Sequence, residues 1–171
     1  MRIIIIGAGA AGLYFAILMK KANPAHEIAI YERNRHDDTF GFGVVFSDET
    51  LGTFLSYDPE SYDAITKEFA YWDEIDFVFR DESIRSVGHG FCGCGRRELL
   101  LILQQRCRDL GVQMHFEKEV NNLTPFAGAD LIVGADGINS LVRETHKEHF
   151  RPDVEWRRNR FVWLGSTKPH D

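Results

Sequence analysis

The sequence predicts an α/β fold built on a parallel β-sheet. Three observations indicate it: a run of four isoleucines, the glycine-rich turn that follows it, and an alternating segment at residues 27–32. Because a continuous β-branched run is typical of a strand covered on both faces, residues 2–6 form the first predicted strand. Residues 13–21 predict a helix that ends near Asn23-Pro24, since proline cannot continue a helix. Residues 27–32 complete a strand–helix–strand unit of about thirty residues, the size of a parallel crossover.

The next part of the chain mixes loop, helix and hairpin patterns. Scattered glycines and polar residues make 33–59 a predicted loop, in which 48–54 is the one candidate for a short helix. Residues 60–69 predict a helix. The apolar and polar alternation of residues 75–87 predicts an antiparallel hairpin that turns near Arg80-Asp81-Glu82.

The second half alternates helices and strands again. An amphipathic pattern predicts a helix at 96–110, which Gly111 ends as a typical C-terminal stop. Three further strands and one helix complete the prediction, with the strands at 112–116, 130–133 and 160–164 and the helix at 138–147. Strands that alternate with helices indicate an α/β sheet, to which the hairpin adds an antiparallel element.

Composition places the chain among globular proteins of one domain. Its 171 residues are 44% hydrophobic and 27% charged, which excludes fibrous and disordered classes. Twenty Lys and Arg residues against 26 Asp and Glu residues give a net charge of −6, which argues against a nucleic-acid partner. Three cysteines are too few for a disulfide scaffold, so we expect a cytoplasmic protein. The uncharged stretch 3–19 is similar to a signal peptide or membrane span, but glycines interrupt it, and a strand, turn and helix explain it better.

The first motif is Gly7-Ala8-Gly9-Ala10-Ala11-Gly12, a G-x-G-x-x-G between a predicted strand and a predicted helix. Gly7 permits the tight turn, Gly9 lets the backbone approach a pyrophosphate, and Gly12 lets the helix pack closely on the sheet. Glu32 lies twenty residues after Gly12, where an acidic side chain binds ribose hydroxyls. The pattern predicts a Rossmann-like dinucleotide site.

Glu32 also bears on the choice of nucleotide. Its carboxylate would repel the 2′-phosphate of NADP, so FAD or NAD fits better. Arg33, the next residue, keeps the phosphorylated alternative open.

The second motif is Gly134-Ala135-Asp136-Gly137-Ile138-Asn139-Ser140-Leu141-Val142-Arg143, again between a predicted strand and helix. An Asp at the carboxyl end of a strand can place its carboxylate near a ligand in the crevice of the sheet. An ordinary turn with Asp136 as the helix N-cap explains the pattern equally well in isolation. A third segment, Arg96-x-x-Leu99-x-x-x-Leu103, opens the long predicted helix.

Together these motifs resemble the FAD-dependent aromatic monooxygenases related to para-hydroxybenzoate hydroxylase. The resemblance implies hydroxylation of an aromatic ring with FAD as the cofactor, NADH or NADPH as the electron donor, and oxygen. It also implies that one set of residues binds FAD: Gly7, Gly9, Ala10, Ala11, Gly12, Glu32, Arg33, Arg96, Asp136 and Gly137. No general base or other catalytic residue is identified, because the cofactor performs the chemistry.

Further segments narrow the resemblance to flavin enzymes of the salicyloyl-CoA 5-hydroxylase and anthraniloyl-CoA monooxygenase type. These segments are residues 43–51, 88–93, 149–153 and 161–165. The implied partner is a small aromatic substrate carried as a CoA thioester. A hydroxylase of a tryptophan-derived substrate is a more distant alternative. A nucleotide-binding fragment without turnover and a plain NAD-dependent dehydrogenase domain also remain open.

Members of that family continue into a substrate-covering sheet and a second Gly-Asp flavin motif. We therefore expect residues 1–171 to form an incomplete FAD-binding domain that stops before the substrate domain. In the family that sheet forms the wall of the substrate pocket. Met19, Phe40, Phe42, Phe46 and the remaining aromatic residues are expected in the core, where such side chains usually lie.

Two weaker patterns have simple explanations. His89, Cys92, Cys94 and Cys107 are metal-ligand types, but their spacing is not that of a structural zinc site. A hydrogen-bonded histidine and buried, reduced thiols are expected instead, with no metal.

Arginines 151, 157, 158 and 160 with Trp156 form a basic segment in an acidic protein. A solvated surface explains this segment, and attraction of the phosphate groups of a CoA-type substrate is the functional hypothesis.

Overall fold

A computed structural model describes residues 1–162 and 164–166. Its strands, in chain order, are β1 (Arg2–Ile6), β2 (Glu27–Tyr31), β3 (Gly43–Phe46), β4 (Ala70–Trp72), β5 (Ile75–Phe79), β6 (Glu82–Ser86), β7 (Phe91–Gly95), β8 (Gln113–His115) and β9 (Leu131–Gly134). Its α-helices are α1 (Ala10–Ala22), α2 (Asp48–Tyr57), α3 (Pro59–Thr66), α4 (Arg96–Asp109), α5 (Leu141–Thr145) and α6 (Lys147–Phe150). Within these described ranges, no helix has the length and apolar character needed to cross a membrane.

A parallel sheet with the strand order β8-β2-β1-β9 forms the centre of the fold. On β1, Ile4 pairs with Ala29 of β2 on one side and with Ile132 of β9 on the other. The four isoleucines of β1 are between 0 and 5% exposed, as a strand covered on both faces requires. Ile3 and Ile5 share one core with apolar residues of α1 and α4. The predicted α/β class is therefore confirmed.

The parallel arrangement brings three loops to one edge of this sheet. Gly7 follows β1, Glu32 follows β2, and Ala135 follows β9. Because the carboxyl ends of parallel strands lie at the same edge, the residues after them lie next to one another. This edge is where ligands bind in open α/β sheets.

The fold also contains two antiparallel elements. β5 and β6 form the predicted hairpin, in which Phe77 pairs with Ile84. Its two turn residues, Arg80 and Asp81, both have left-handed backbones, with φ of 49° and 65°. Left-handed residues at both turn positions match the twist of a two-residue hairpin.

The second antiparallel element is a sheet with the strand order β3-β7-β4, which the sequence did not predict. β7 has the sequence Phe-Cys-Gly-Cys-Gly and β4 has only three residues, so neither carries a β-branched alternating pattern. Pairing between residues far apart in sequence, such as Val44 with Cys94, forms these strands.

Three predicted elements needed correction. α1 begins at Ala10 rather than at residue 13, because Gly9 is its N-cap. The predicted helix at 138–147 is instead a 3₁₀ turn (Gly137–Asn139) followed by α5 and α6. It breaks because Ser140 has an extended backbone (φ −58°, ψ 123°) and its side chain caps α5. The described residues of the predicted strand at 160–164 are not a strand, and Phe161 is 92% exposed, while Trp163 lies outside the described residues.

A buried carboxylate joins three helices. Asp58, which precedes α3, is fully buried and accepts hydrogen bonds from Lys21 of α1 at 2.6 Å and from Arg106 of α4 at 2.9 Å. Ser61 also donates to it through its hydroxyl. Burial alone would raise the pKa of Asp58, but the hydrogen bonds from Arg106, Lys21 and Ser61 outweigh burial and hold that pKa well below its usual range.

Candidate active site

A cleft of about 500 Å³ lies at the carboxyl edge of the parallel sheet. Seven of the ten predicted cofactor residues line it: Gly7, Gly9, Glu32, Arg33, Arg96, Asp136 and Gly137. The other three, Ala10, Ala11 and Gly12, form the first turn of α1 beside it. The fold thus brings together motifs that are more than one hundred residues apart in sequence.

Gly7 and Gly12 hold the turn between β1 and α1 in shape. Gly7 has φ of +106°, and a Cβ atom on it would run into the backbone carbonyl of Ala135. A Cβ on Gly12 would meet the carbonyl oxygen of Gly7. Both glycines are therefore required by close backbone packing.

Gly9 differs from these two glycines. Its φ is −70°, a value open to any residue, and a Cβ placed on it would meet nothing within 4 Å. The fold itself therefore does not need glycine here. A side chain at residue 9 would instead occupy open space in the cleft.

The N-terminus of α1 faces the same cleft without a side-chain cap. Gly9 makes no capping hydrogen bond, and the first turn contains no acidic residue. The first intrahelical bond is from the Leu13 N–H to the Gly9 carbonyl, so the three N–H groups before Leu13 have no intrahelical acceptor. Free N–H groups and the positive end of the helix dipole favour an anion.

Glu32 organises the loops around it. Its Oε2 accepts a hydrogen bond from the Ala8 N–H at 2.8 Å, and its Oε1 accepts from the backbone N–H and the side-chain Nδ2 of Asn34, at 2.9 and 2.8 Å. In the part of the chain that the structure describes, no cation forms an ion pair with it. Three hydrogen bonds thus hold the carboxylate in place, and its remaining lone pairs can accept from hydroxyl donors.

Asp136 lines the cleft and has one unpartnered carboxylate oxygen among the described residues. Its Oδ2 accepts a hydrogen bond from the Leu141 N–H at 2.6 Å, while its Oδ1 is buried and has no hydrogen-bond partner within residues 1–162 and 164–166. Asp136 precedes the 3₁₀ turn without a side-chain capping bond to it, and Ser140, not Asp136, is the N-cap of α5. A buried carboxylate oxygen without a donor costs free energy, so this position favours a ligand that donates to it.

Arg96 lies at the start of α4, where its N–H donates to the Phe42 carbonyl at 3.0 Å. It lines the cleft and also an adjoining cavity of about 100 Å³. Phe40 lines both spaces as well. The expectation that Phe40 and Phe42 are core residues was wrong, because they are 75% and 58% exposed on an irregular loop, whereas Phe46 on β3 is buried.

The metal-ligand types do not assemble. Cys92, Cys94 and Cys107 are buried free thiols, and burial raises the pKa of Cys94 to about 11 and that of Cys107 to about 12. His89 interacts with the Ser86 hydroxyl at 2.8 Å. Within residues 1–162 and 164–166, no three such side chains come close enough to hold a metal ion.

Sequence-based prediction missed the partners that shape the site. Asn34 and the Ala8 N–H hold Glu32, and neither belongs to a position that the glycine motif specifies. The position of Asn34 two residues after Glu32 could have indicated their contact, since asparagine is typical of turns in which a side chain bonds to the nearby backbone.

Comparison with known proteins agrees with this geometry. Residues 5–41 match the NAD(P)-binding Rossmann-like domain family. The chain is 42% identical over its whole length to a salicyloyl-CoA 5-hydroxylase from Streptomyces sp, and 33% identical to the protodeoxyviolaceinate monooxygenase of Chromobacterium violaceum. A tetrameric form of 2-methyl-3-hydroxypyridine-5-carboxylic acid oxygenase has the same fold, with a TM-score of 0.69 over 84% of this chain and 41% of that chain, at 24% identity.

The chain spans about a third to a half of the length of these relatives: 33% of the salicyloyl-CoA enzyme and 46% of the Chromobacterium enzyme. Its homologues are flavin-dependent aromatic monooxygenases, which confirms the resemblance drawn from the motifs.

Proposed function

We propose that this chain binds FAD in the cleft at the carboxyl edge of its parallel sheet and forms the FAD-binding part of an aromatic-ring monooxygenase. The observation that carries the proposal is the buried Oδ1 of Asp136, to which none of the described residues donates a hydrogen bond. Asp136 lines the same cleft as Gly9, Glu32 and Arg96. An anion-binding helix end, a hydroxyl acceptor and an orphan carboxylate oxygen in one cleft fit a dinucleotide better than a single small ion.

Each residue of the cleft then has a physical role. The free N–H groups of α1 and the open side of Gly9 would receive the pyrophosphate. Glu32 would accept hydrogen bonds from ribose hydroxyls, and its charge disfavours a 2′-phosphate. Arg96 and Arg33 would offset the phosphate charge, and Asp136 would accept a hydrogen bond from the cofactor.

Bound FAD supplies the redox chemistry by which flavin monooxygenases hydroxylate aromatic rings with NADH or NADPH and oxygen. The substrate class proposed is an aromatic ring carried as a CoA thioester, since the Streptomyces relative is named a salicyloyl-CoA 5-hydroxylase. The name of the Chromobacterium relative supports the alternative of a tryptophan-derived substrate. The cytoplasm fits both, because the three described cysteines are free thiols.

Turnover is a separate question from binding, because the chain matches only part of each relative. An oxygen-dependent oxidation of NADH or NADPH that an aromatic acyl-CoA stimulates would support the enzyme. Tight FAD binding without such oxidation would favour the nucleotide-binding fragment. The phosphate role of the basic segment also stays a hypothesis, and Arg157 forms an ion pair with Glu155 at 2.9 Å.

The binding proposal predicts that Glu32→Gln weakens FAD binding. Loss of the negative charge removes charge-assisted hydrogen bonds of about 2 kcal/mol, so we expect the Kd to rise about 30-fold. The measurement is a titration of the purified chain followed by flavin fluorescence, with the melting temperature recorded in parallel.

The matched control is Glu27→Gln, the same substitution at the opposite end of β2, where the side chain is exposed. This control should bind FAD like the wild type. A wild-type chain whose fluorescence and melting temperature do not respond to FAD would refute the proposed function. Equal affinities for the Glu32 and Glu27 variants would refute the role of Glu32.

A further inference from the structure

The loop after β2 has no regular secondary structure and yet contributes to two cavities. Residues 32–42 contain neither helix nor strand. Arg33, Asn34 and Phe40 line the cleft, and His36 and Thr39 line the adjoining cavity of about 100 Å³. Such a segment lacks the repeating backbone hydrogen bonds of a helix or sheet. Single backbone bonds join it to the rest of the fold at Asn34 and Phe42, and side-chain contacts add to them between these two residues.

One of these contacts comes from a fully buried glutamine on α4. Gln104 is 1% exposed, and its Nε2 donates a hydrogen bond to the His36 carbonyl at 2.7 Å. Arg96, Leu100 and Gln104 are spaced four residues apart, so they lie on one face of α4, and all three line the smaller cavity. The contact therefore connects the loop to the helix that carries Arg96.

The orientation of the Gln104 amide is fixed from its other side. Nη2 of Arg108 donates to Oε1 of Gln104 at 3.4 Å, which leaves the NH₂ group facing the loop. An apolar residue of similar size would fill the same buried position without desolvating an amide. The polar side chain thus adds an orientation-specific bond to the loop rather than packing volume.

We infer that Gln104 is a positioning residue for the cofactor, which holds the loop after Glu32 in its binding shape before the ligand arrives. This inference rests on the proposed FAD site. Asn34 fixes the start of the loop through Glu32, and Gln104 fixes its middle through His36. A loop that is already ordered does not have to be ordered by the ligand, so affinity is higher.

The test compares Gln104→Met with Gln105→Met. Gln105 is the adjacent residue on α4, but it is exposed and its Nε2 donates to Asp109. At a temperature well below the melting temperature of each variant, we expect Gln104→Met to raise the Kd for FAD about tenfold. Gln105→Met should leave this Kd unchanged. Hydrogen exchange of the amides at 33–39 should quicken in Gln104→Met while exchange in β1 and β2 stays the same, which a general loss of stability does not produce.

The outcomes separate the inference from the proposed function. A wild-type chain that does not bind FAD overturns both. The inference alone is overturned if the wild-type chain binds FAD and the Kd of Gln104→Met agrees with the wild-type Kd within a factor of about two. If Gln104→Met does not fold, Gln104→Glu is used instead. A carboxylate can accept a hydrogen bond from Arg108 but cannot donate one to the His36 carbonyl. We expect the Kd of this variant for FAD to rise about tenfold as well, and a Kd within a factor of about two of the wild-type value would overturn the inference.

Discussion

Replacing Gly9 with valine is expected to weaken FAD binding at least about 100-fold while the chain remains folded. The backbone of Gly9 suits any residue, and a Cβ there meets nothing within 4 Å. A valine side chain would therefore fill the space next to the free N–H groups of α1 and keep a phosphate away from them. Loss of two such charge-assisted hydrogen bonds, about 3 kcal/mol or more, weakens binding at least about 100-fold.

The effect of Gly9→Val on stability should be small by comparison. Valine is a poorer N-cap than glycine by about 1 kcal/mol, which lowers the melting temperature by about 2–4 °C. Gly7→Val is the opposite case, because its φ of +106° and the nearby Ala135 carbonyl leave no room for a Cβ. That variant should fail to fold. Strong FAD binding by Gly9→Val, or unfolding of Gly9→Val to the same degree as Gly7→Val, would contradict the account of this turn.

Asp58→Asn should cost about 3 kcal/mol of the free energy of unfolding at neutral pH, because it removes the buried carboxylate from two partly buried cations, which then keep the exposed Glu60 carboxylate as their partner. Asp58 is fully buried and binds both Lys21 and Arg106. Urea unfolding measures the loss. The control is Asp63→Asn, an exposed position on the same helix, which should change stability by less than about 0.5 kcal/mol. Similar losses in the two variants would show that the ion pairs do not join the helices.

The contribution of Asp58 should also depend on pH in one direction. Its pKa in the folded chain lies below the unfolded value of about 3.9. The folded state is therefore favoured by the ionised carboxylate above about pH 4, and this advantage declines as the pH falls towards the folded pKa. The difference in unfolding free energy between wild type and Asp58→Asn should be constant from about pH 5 to 7 and shrink below about pH 4. A difference that stays constant on acidification would contradict this interpretation.

Local sequence patterns predicted the elements whose structure depends on residues close together in the sequence. The isoleucine run, the glycine turn and the Arg80-Asp81 hairpin turn each depend on backbone preferences of neighbouring residues. β7 depends instead on pairing with β3 and β4, strands that begin 48 and 21 residues earlier, and its cysteines and glycines give no strand signal.

Some residues of the candidate site could likewise be predicted from nearby sequence, and others could not. Gly9, Glu32 and Asp136 were predicted because motif spacing and strand ends place them at one edge of the sheet. Gln104 was not, because its apolar neighbours Leu99 and Leu103 define the core pattern of α4 and its own acceptor lies 68 residues away. Contacts between distant loops and helices follow from the folded geometry and not from the residues nearby in sequence.

Hydrogen exchange of the wild-type chain with and without FAD locates the bound cofactor. If FAD occupies the cleft, its addition slows exchange in three separate segments, residues 7–13, 32–36 and 134–141, and leaves the hairpin at 75–86 unchanged. FAD that bound without slowing exchange in those three segments, or that slowed it in the hairpin instead, would contradict the assignment of the cleft.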